Sequence, residues 1–260
     1  MYPEDTRNLP IAEVIDQLTL CLCDEDEAVL QAPPGAGKTT VVPLALLDEP
    51  WLGNRKILVL EPRRVAARAA AARMAQLLGE SVGHTVGYRI RLDSCVSDKT
   101  RIEVITEGIL SRQLQADPGL EGVGLIVFDK FHERNLDSDL CLALALQGRS
   151  LFREGPALKL LLMSATLDGE AVAALLGGAT VITSEGRQFP VETHYGETCK
   201  LRDSIVEPTV TTVLQALREQ QGSILVFLPG QREINRVARE LGAVLGRSSD
   251  NDRVQISPLY

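Results

Sequence analysis

Short apolar runs alternate with amphipathic segments along most of this chain. The apolar runs predict buried strands at residues 56–60, 85–91, 101–106, 124–129 and 158–163, with one more strand ending just before residue 32. The amphipathic segments predict helices at 11–22, 41–47, 107–115 and 139–147, and an alanine-rich helix that ends near residue 78. Strands that are apolar throughout and alternate with helices indicate an α/β fold with a parallel sheet covered on both faces.

The pattern changes after residue 184. A turn-rich connector is predicted at 185–190, and it is followed by strands at 191–195, 223–228 and 253–256 and helices at 205–219 and 233–245. We therefore predict a first domain at 1–184 and the start of a second α/β domain at 191–260. About 70 residues are too few to close a doubly wound sheet, so the second domain is expected to be incomplete.

The candidate chemistry begins where the first strand ends and a loop of small residues leads into a helix. The loop consists of Ala32, Pro33, Pro34, Gly35, Ala36, Gly37, Lys38, Thr39 and Thr40. Small residues let backbone N–H groups surround phosphate oxygens, Lys38 can reach the terminal phosphates, and the Thr39 hydroxyl can ligate Mg²⁺. The usual pattern has glycine in place of Ala32. The loop predicts nucleotide binding; the alternative is an ordinary strand-to-helix turn with an exposed lysine.

The strand predicted at 124–129 ends in an acid, Asp129. Phosphate-loop proteins keep the carboxylate that holds the hydration shell of Mg²⁺ at such a strand end. Asp129 is therefore the predicted partner of Thr39 in a Mg²⁺ site.

Charge is distributed unevenly. The net charge of −8 argues against a polyanionic partner, but residues 55–91 contain eight basic residues and only two acidic ones. A basic surface on an acidic protein is a candidate for contacts with backbone phosphates. Solvated faces of helices are the alternative, and charge alone does not separate the two.

Other features limit where the protein works. Its five cysteines are scattered without paired spacing, so neither a zinc site nor a disulfide is predicted. No apolar run approaches the ~20 residues that span a bilayer, and the acidic start argues against a signal peptide. We expect a cytoplasmic protein.

Six motifs in sequence order resemble those of DEAH-box superfamily 2 helicases. They are the loop 32–40, Glu61-Pro62-Arg63-Arg64, Thr106-Glu107-Gly108, Asp129-Lys130-Phe131-His132, Ser164-Ala165-Thr166 and the segment 225–230. The resemblance implies two RecA-like P-loop NTPase domains, the second incomplete in this chain. It also implies that ATP binds between them and single-stranded nucleic acid across their tops. RNA is expected in preference to DNA, although motifs that grip the backbone carry no base code.

The resemblance implies roles for individual residues. Arg63, Arg64, Thr106 and Gly108 match motifs that grip the nucleic-acid backbone, and Asp129 and His132 belong to the catalytic box. Ser164, Ala165 and Thr166 match the motif that couples hydrolysis to strand movement. Taken alone, the two hydroxyl residues would instead be expected to cap the next helix. With this resemblance, contacts with backbone phosphates become the favoured interpretation of the basic segment 55–91, ahead of solvated helix faces.

Two departures from the family pattern affect the expected activity. The family box is Asp-Glu-x-His, and this chain has Lys130 in place of the glutamate that polarises the attacking water. A protonated lysine cannot accept a proton, and its charge beside Mg²⁺ is unfavourable unless it pairs with Asp129 or a phosphate. Glu133, the nearest spare carboxylate, lies past His132 and is not expected to substitute. The arginine fingers of the family should lie beyond Tyr260, so this chain alone is not expected to unwind duplexes.

The sequence therefore supports two hypotheses. The first is an ATP-dependent nucleic-acid helicase whose turnover is impaired by Lys130 and by the missing later motifs. The second is a non-hydrolysing fragment or pseudo-enzyme that binds ATP and nucleic acid. A P-loop kinase or transporter ATPase lacks support because neither a lid nor a signature loop is visible. Oligomeric state is not indicated, and a fragment and a naturally shortened product remain alternatives.

Overall fold

The computed structural model describes residue 6 and residues 8–165, 169–186, 190–196, 204–246 and 254–259. The chain forms two compact units, Met1–Gln188 and Phe189–Tyr260. The division falls inside the segment 185–190. The assignment of the two units to helicase domains stays a prediction.

The first unit is built on an eight-stranded sheet. Its strands are β1 (Glu27–Gln31), β2 (Lys56–Leu60), β3 (Val86–Ile90), β4 (Asp93–Cys95), β5 (Ile102–Ile105), β6 (Val123–Phe128), β7 (Lys159–Ser164) and β8 (Thr180–Thr183). The spatial order is β4-β3-β5-β2-β6-β7-β1-β8. All neighbours are parallel except β3 and β4, which form an antiparallel hairpin. The predicted α/β fold with a parallel sheet is confirmed.

Within the described residues, six α-helices cover this sheet. They are α1 (Ile15–Asp24), α2 (Lys38–Ala45), α3 (Arg64–Leu77), α4 (Glu107–Ala116), α5 (Leu136–Phe152) and α6 (Gly169–Leu175). A short 3₁₀ helix, Pro10–Val14, precedes α1 and occupies the start of the segment that the sequence predicts as one helix.

Successive residues of each central strand point to opposite faces, so the sheet has an apolar core on both sides. Leu30 packs on one face in a cluster with α1, α2 and α3. Val29 packs on the other face in a cluster with α4, α5 and α6. Burial on both faces explains why these strands are apolar throughout rather than alternating.

The strands β4 and β8 and the helix α6 are not predicted by the sequence pattern. Residues 93–99 are predicted as a polar loop, but the first three of them pair with β3. β8 has only four residues and lies at the sheet edge beside β1. Short edge strands have too few residues to show a periodicity.

The second unit contains the helices α7 (Val206–Glu219) and α8 (Gln231–Leu245), both of which the sequence predicts. The predictions of strands at 191–195 and 223–228 are wrong, because the described residues there join no strand ladder. The apolar run 223–228 needs paired neighbours to form a buried strand, and Phe227 is 87% exposed. The described part of 253–256 is likewise not a strand. Within the described residues, no helix is both long and apolar enough to cross a bilayer.

Candidate nucleotide and nucleic-acid site

The topology brings the motifs to one edge of the sheet. β5, β2, β6, β7 and β1 are parallel neighbours in that order, so their carboxyl ends lie side by side. Ligands of open α/β sheets bind at this edge. Five of the six helicase-like motifs follow these strands, and the nucleic-acid motifs after β5 and β2 adjoin the nucleotide motifs after β6, β7 and β1. The sixth, at 225–230, belongs to the second unit.

The phosphate loop connects β1 to α2 and depends on two glycines. Gly35 and Gly37 have φ values of 79° and 99°, in the left-handed region that favours glycine. A Cβ on Gly37 would also approach Leu9 to 3.0 Å. Ala32 has no such requirement: its N–H donates to the Ser164 carbonyl at 3.1 Å and extends the β1–β7 ladder. The departure from glycine at position 32 is therefore compatible with the loop.

A cavity of roughly 500 Å³ lies over this loop. Residues 34–40 line one side of it, and the other side is lined by Asp129, Lys130, His132, Glu133 and Ala165. The structure thus brings the phosphate loop, the Asp-Lys-Phe-His box and the Ser-Ala-Thr motif around one space.

Thr39 and Asp129 meet at the wall of this cavity. The Thr39 hydroxyl donates to Asp129 Oδ2 at 2.6 Å, although the two residues are 90 positions apart. Asp129 is buried, and its other oxygen accepts from the Lys130 N–H at 2.9 Å. A hydroxyl and a carboxylate that converge in this way are the oxygen ligands expected for Mg²⁺. The donor set fits the predicted metal site.

Lys38 is buried at the start of α2, and its side chain turns back toward the phosphate loop. Its ammonium donates to the carbonyls of Ala32 and Pro33, the latter at 3.0 Å. Burial lowers the pKa of Lys38, and the Asp129 carboxylate opposes this shift. A partly desolvated ammonium held by neutral carbonyls is a favourable position for an anionic phosphate group.

Lys130 has a partner that sequence reasoning missed. Its ammonium donates to both oxygens of Glu61, at 2.6 and 2.5 Å, and lies 3.8 Å from Asp129 Oδ2. Glu61 is fully buried at the end of β2, and burial raises its pKa to about 7 against the opposing effect of Lys130. The main partner of Lys130 is thus the carboxylate of the neighbouring strand end rather than Asp129 or a phosphate.

The box is also tied to the Ser-Ala-Thr motif. The Ala165 N–H donates to His132 Nδ1 at 3.2 Å, so Nδ1 is the unprotonated nitrogen in this arrangement. Ser164 is buried as the last residue of β7. Thr166 lies outside the described residues.

The four residues predicted to grip nucleic acid flank two helix starts at the same edge. Arg63 and Arg64 stand at the start of α3, and Arg63 Nη2 donates to Glu133 Oε2 at 3.0 Å. Thr106 precedes α4, and its carbonyl accepts from the N–H groups of the first helical turn. Gly108 has open space around its Cα. Exposed arginines beside two helix N-termini suit anionic backbone phosphates.

The basic segment 55–91 does not form one continuous basic surface. Arg55 and Lys56 lie at the amino end of β2, where they bond to loop carbonyls and to Glu103. Arg89 also pairs with Glu103, and Arg68 pairs with Asp93. Arg55 and Lys56 lie at the opposite end of β2 from the predicted site, so they do not support the prediction that the basic segment contacts phosphates. Arg63 and Arg64 remain candidates.

Two carboxylates complete the site, Glu61 and Glu133. The available sequence signal for Glu61 was its position directly after a buried strand next to the strand that ends in Asp129. That signal depends on strand order, which the local pattern does not contain. The sequence suggests Glu133 only as a spare carboxylate near the base position and gives no signal for its pairing with Arg63.

Comparisons with known proteins agree with this geometry. The sequence model of the DEAD/DEAH box helicase family matches residues 12–175. The ATP-dependent RNA helicase HrpB of Escherichia coli strain K12 is 47% identical over 253 residues, which are 97% of this chain and 30% of that protein. The chain thus spans about a third of the length of this curated relative.

Solved structures give the same result. A crystal structure of the Escherichia coli DEAH/RHA helicase HrpB matches with a TM-score of 0.83 over 91% of this chain and 30% of that one, at 47% identity. A crystal structure of the Escherichia coli DExH-box NTPase HrpB matches with a TM-score of 0.75 over 90% of this chain and 29% of that one, also at 47% identity. The resemblance inferred from the six motifs is confirmed.

Proposed function

Because the chain belongs to the DEAD/DEAH box helicase family, we propose that it binds Mg·ATP and single-stranded nucleic acid as part of an ATP-dependent helicase. RNA is the proposed nucleic acid in preference to DNA, since the matched relative is named an RNA helicase. Unwinding is proposed only for a whole protein of this kind, because this chain spans 30% of the matched relative.

The observation that carries the proposal is the contact between Thr39 and Asp129. Thr39 lies in α2 and Asp129 directly follows β6, yet their oxygens are 2.6 Å apart at the wall of the cavity above the phosphate loop. Thr39 and Asp129 would hold Mg²⁺, and Lys38 would bind the terminal phosphates. When bound, the metal supplies charge neutralisation for the triphosphate.

The nucleic acid is proposed to lie on the adjoining half of the same edge. Arg63 and Arg64 offer guanidinium groups to backbone phosphates, and the start of α4 at Thr106 and Gly108 offers the N–H groups that precede the first intrahelical hydrogen bond. Ser164, Ala165 and Thr166 are proposed to connect the two halves. The contact between Ala165 and His132 supports this role.

Hydrolysis is proposed to be slow because Lys130 occupies the position of the family's glutamate. The ammonium bound to Glu61 has no lone pair with which to take a proton from water. Loss of a positioned base costs about 10²–10⁴-fold in rate. The same contact supports the second candidate function, a module that binds ATP and nucleic acid without turnover.

A titration of Mg·ATP tests nucleotide binding. The chain is compared with Lys38→Ala and with the control Lys99→Ala, an exposed lysine outside the cavity, each with and without single-stranded RNA. Calorimetric binding should be lost in Lys38→Ala and kept in Lys99→Ala, with equal helix content in all three proteins. Failure of the unmodified chain to bind would contradict the proposed function. RNA and DNA oligonucleotides of one length, compared by fluorescence anisotropy, test the nucleic-acid preference.

A reversion of Lys130 separates the two candidate functions. Lys130→Glu restores a carboxylate at the base position, whereas Lys130→Gln removes the positive charge without supplying a base. Single-turnover hydrolysis should rise by about 10²-fold in Lys130→Glu alone if the site is a damaged enzyme. Equal, unmeasurable rates in all three proteins, each with unchanged helix content and Mg·ATP binding, would favour the binding module. The cytoplasmic location also stays a prediction.

A further inference from the structure

The segment that follows Asp129 is held in an unusual backbone conformation. Lys130 and Arg134 have φ values of 55° and 39°, and they flank a short 3₁₀ turn at Phe131–Glu133. Left-handed residues other than glycine are costly and tend to cluster at active sites and switch regions. The turn is therefore a place where the fold maintains strain.

Both ends of this turn are anchored. Phe131 is buried and packs edge-to-face on Phe128, with 6.1 Å between ring centroids. Arg134 donates to both oxygens of Asp139, at 3.1 and 2.8 Å. Glu133 lies between these anchors, so its carboxylate is presented from a rigid position.

Glu133 belongs to two sites at once. It lines the cavity above the phosphate loop, and its carboxylate accepts from Arg63 at 3.0 Å. Arg63 is itself a proposed phosphate ligand at the start of α3, and its side chain is 69% exposed. One ion pair therefore joins the nucleotide cavity to the proposed nucleic-acid surface.

We propose that the Arg63–Glu133 ion pair is a latch that a nucleic-acid phosphate opens, which couples nucleic-acid binding to nucleotide affinity. The proposal rests on the proposed function, because it requires Arg63 to bind phosphate. A phosphate group competes with Glu133 for the same guanidinium, and the partner chosen changes the charge that faces the cavity.

The sign of the coupling follows from the charges. While Arg63 holds Glu133, the carboxylate is neutralised. When a phosphate draws Arg63 away, Glu133 faces the cavity as an unpaired negative charge beside the triphosphate, and Mg·ATP binds more weakly. Because linkage is reciprocal, ATP weakens nucleic-acid binding by the same factor. The pair is exposed, so the coupling should be about two- to fivefold and should shrink at high salt.

The test measures the dissociation constant of the magnesium complex of a non-hydrolysable ATP analogue by calorimetry. Each protein is titrated without RNA and with a saturating single-stranded oligouridine, whose binding is followed by fluorescence anisotropy. The proteins are the unmodified chain, Glu133→Gln, Arg63→Gln and the control Glu27→Gln. The control breaks the ion pair between Glu27 and Arg149 at the amino end of β1, at the opposite edge of the sheet.

RNA should weaken analogue binding about two- to fivefold in the unmodified chain and in Glu27→Gln. Glu133→Gln should bind the analogue with one affinity whether RNA is present or not. Arg63→Gln should bind it weakly from the start, with no further effect of RNA. This pattern supports the latch, because a purely structural role of Glu133 would not remove the response to RNA.

Other outcomes have different meanings. Coupling that persists in Glu133→Gln, or no coupling in the unmodified chain although both ligands bind, overturns the latch and leaves the proposed function intact. An unmodified chain that binds neither the analogue nor RNA overturns the proposed function and the latch together.

Discussion

Lys130 is placed where its positive charge compensates a buried negative one. Glu61 is fully buried, and both of its oxygens accept from the Lys130 ammonium. Removing one partner of such a pair leaves the other desolvated and unpaired, which is more costly than the pair itself is favourable. The lysine therefore has a structural effect that is separate from its effect on hydrolysis.

This pairing predicts a pH-dependent loss of stability in Lys130→Met. The pKa of Glu61 is raised from 4.5 to about 7, so the folded state binds more protons than the unfolded state between these two values, and the stability from this group falls as the pH rises through that range. Without the cation the pKa of Glu61 rises further, so the stability continues to fall up to a higher pH. The loss in unfolding free energy should be about 1–3 kcal/mol larger near pH 8 than near pH 6.

Urea unfolding followed by the fluorescence of Trp51, the single tryptophan of the chain, measures this difference. Lys99→Met removes an exposed lysine and should show no such pH dependence. A loss that is equal at both pH values would contradict the role given to the pair.

At the scale of elements, the packing of α5 depends on one glycine. A Cβ on Gly148 would lie 2.1 Å from the carbonyl oxygen of Pro118 in the loop after α4. Gly148→Ala must displace that backbone and should lower the unfolding free energy by about 1–3 kcal/mol. Gly108, in α4, has open space, so Gly108→Ala should raise it by about 0.5–1 kcal/mol.

Denaturation of the two variants under one set of conditions tests this contrast. Equal effects of the two substitutions would show that the close approach of α5 to the loop does not control stability. Gly108→Ala has a second use, because reduced RNA affinity in a more stable protein would support the proposed role of Gly108.

The sequence predicts elements well where burial is complete on both faces. The apolar runs that became β2, β6 and β7 are recognisable because every residue is buried except Lys56 at the start of β2, which is partly buried. The run 223–228 is equally apolar in sequence but joins no ladder among the described residues. A strand needs a neighbouring strand, and the sequence of the run does not specify one. The three short elements β4, α6 and β8 are missed for lack of length.

The candidate site likewise contains contacts that the sequence predicts and contacts that it does not. The contact of Thr39 with Asp129 could be predicted because each residue follows its own strand within a recognisable motif. The pairs of Lys130 with Glu61 and of Arg63 with Glu133 could not, because they depend on β2 lying next to β6. Sheet order is a property of the whole unit.

At the scale of the whole molecule, the two units differ in the size of their cores. The first buries two large apolar clusters on either side of its sheet. Among the described residues of the second, the buried apolar side chains are those of Val213, Val237, Leu241 and Leu245, in α7 and α8. A core of this size gives marginal stability.

The sequence also predicts aggregation of the isolated chain, which a monodisperse monomer in size-exclusion chromatography would contradict.

The chain should therefore unfold in two steps. In urea, far-ultraviolet circular dichroism should show an early loss of helix from the second unit and a later transition of the first. Trp51 lies in the first unit, so its fluorescence should report only the later step. Leu241→Ala should shift the early step alone, and Leu162→Ala should lower the stability of the later step by about 2–5 kcal/mol. One coincident transition that both substitutions shift would mean that the two units unfold cooperatively.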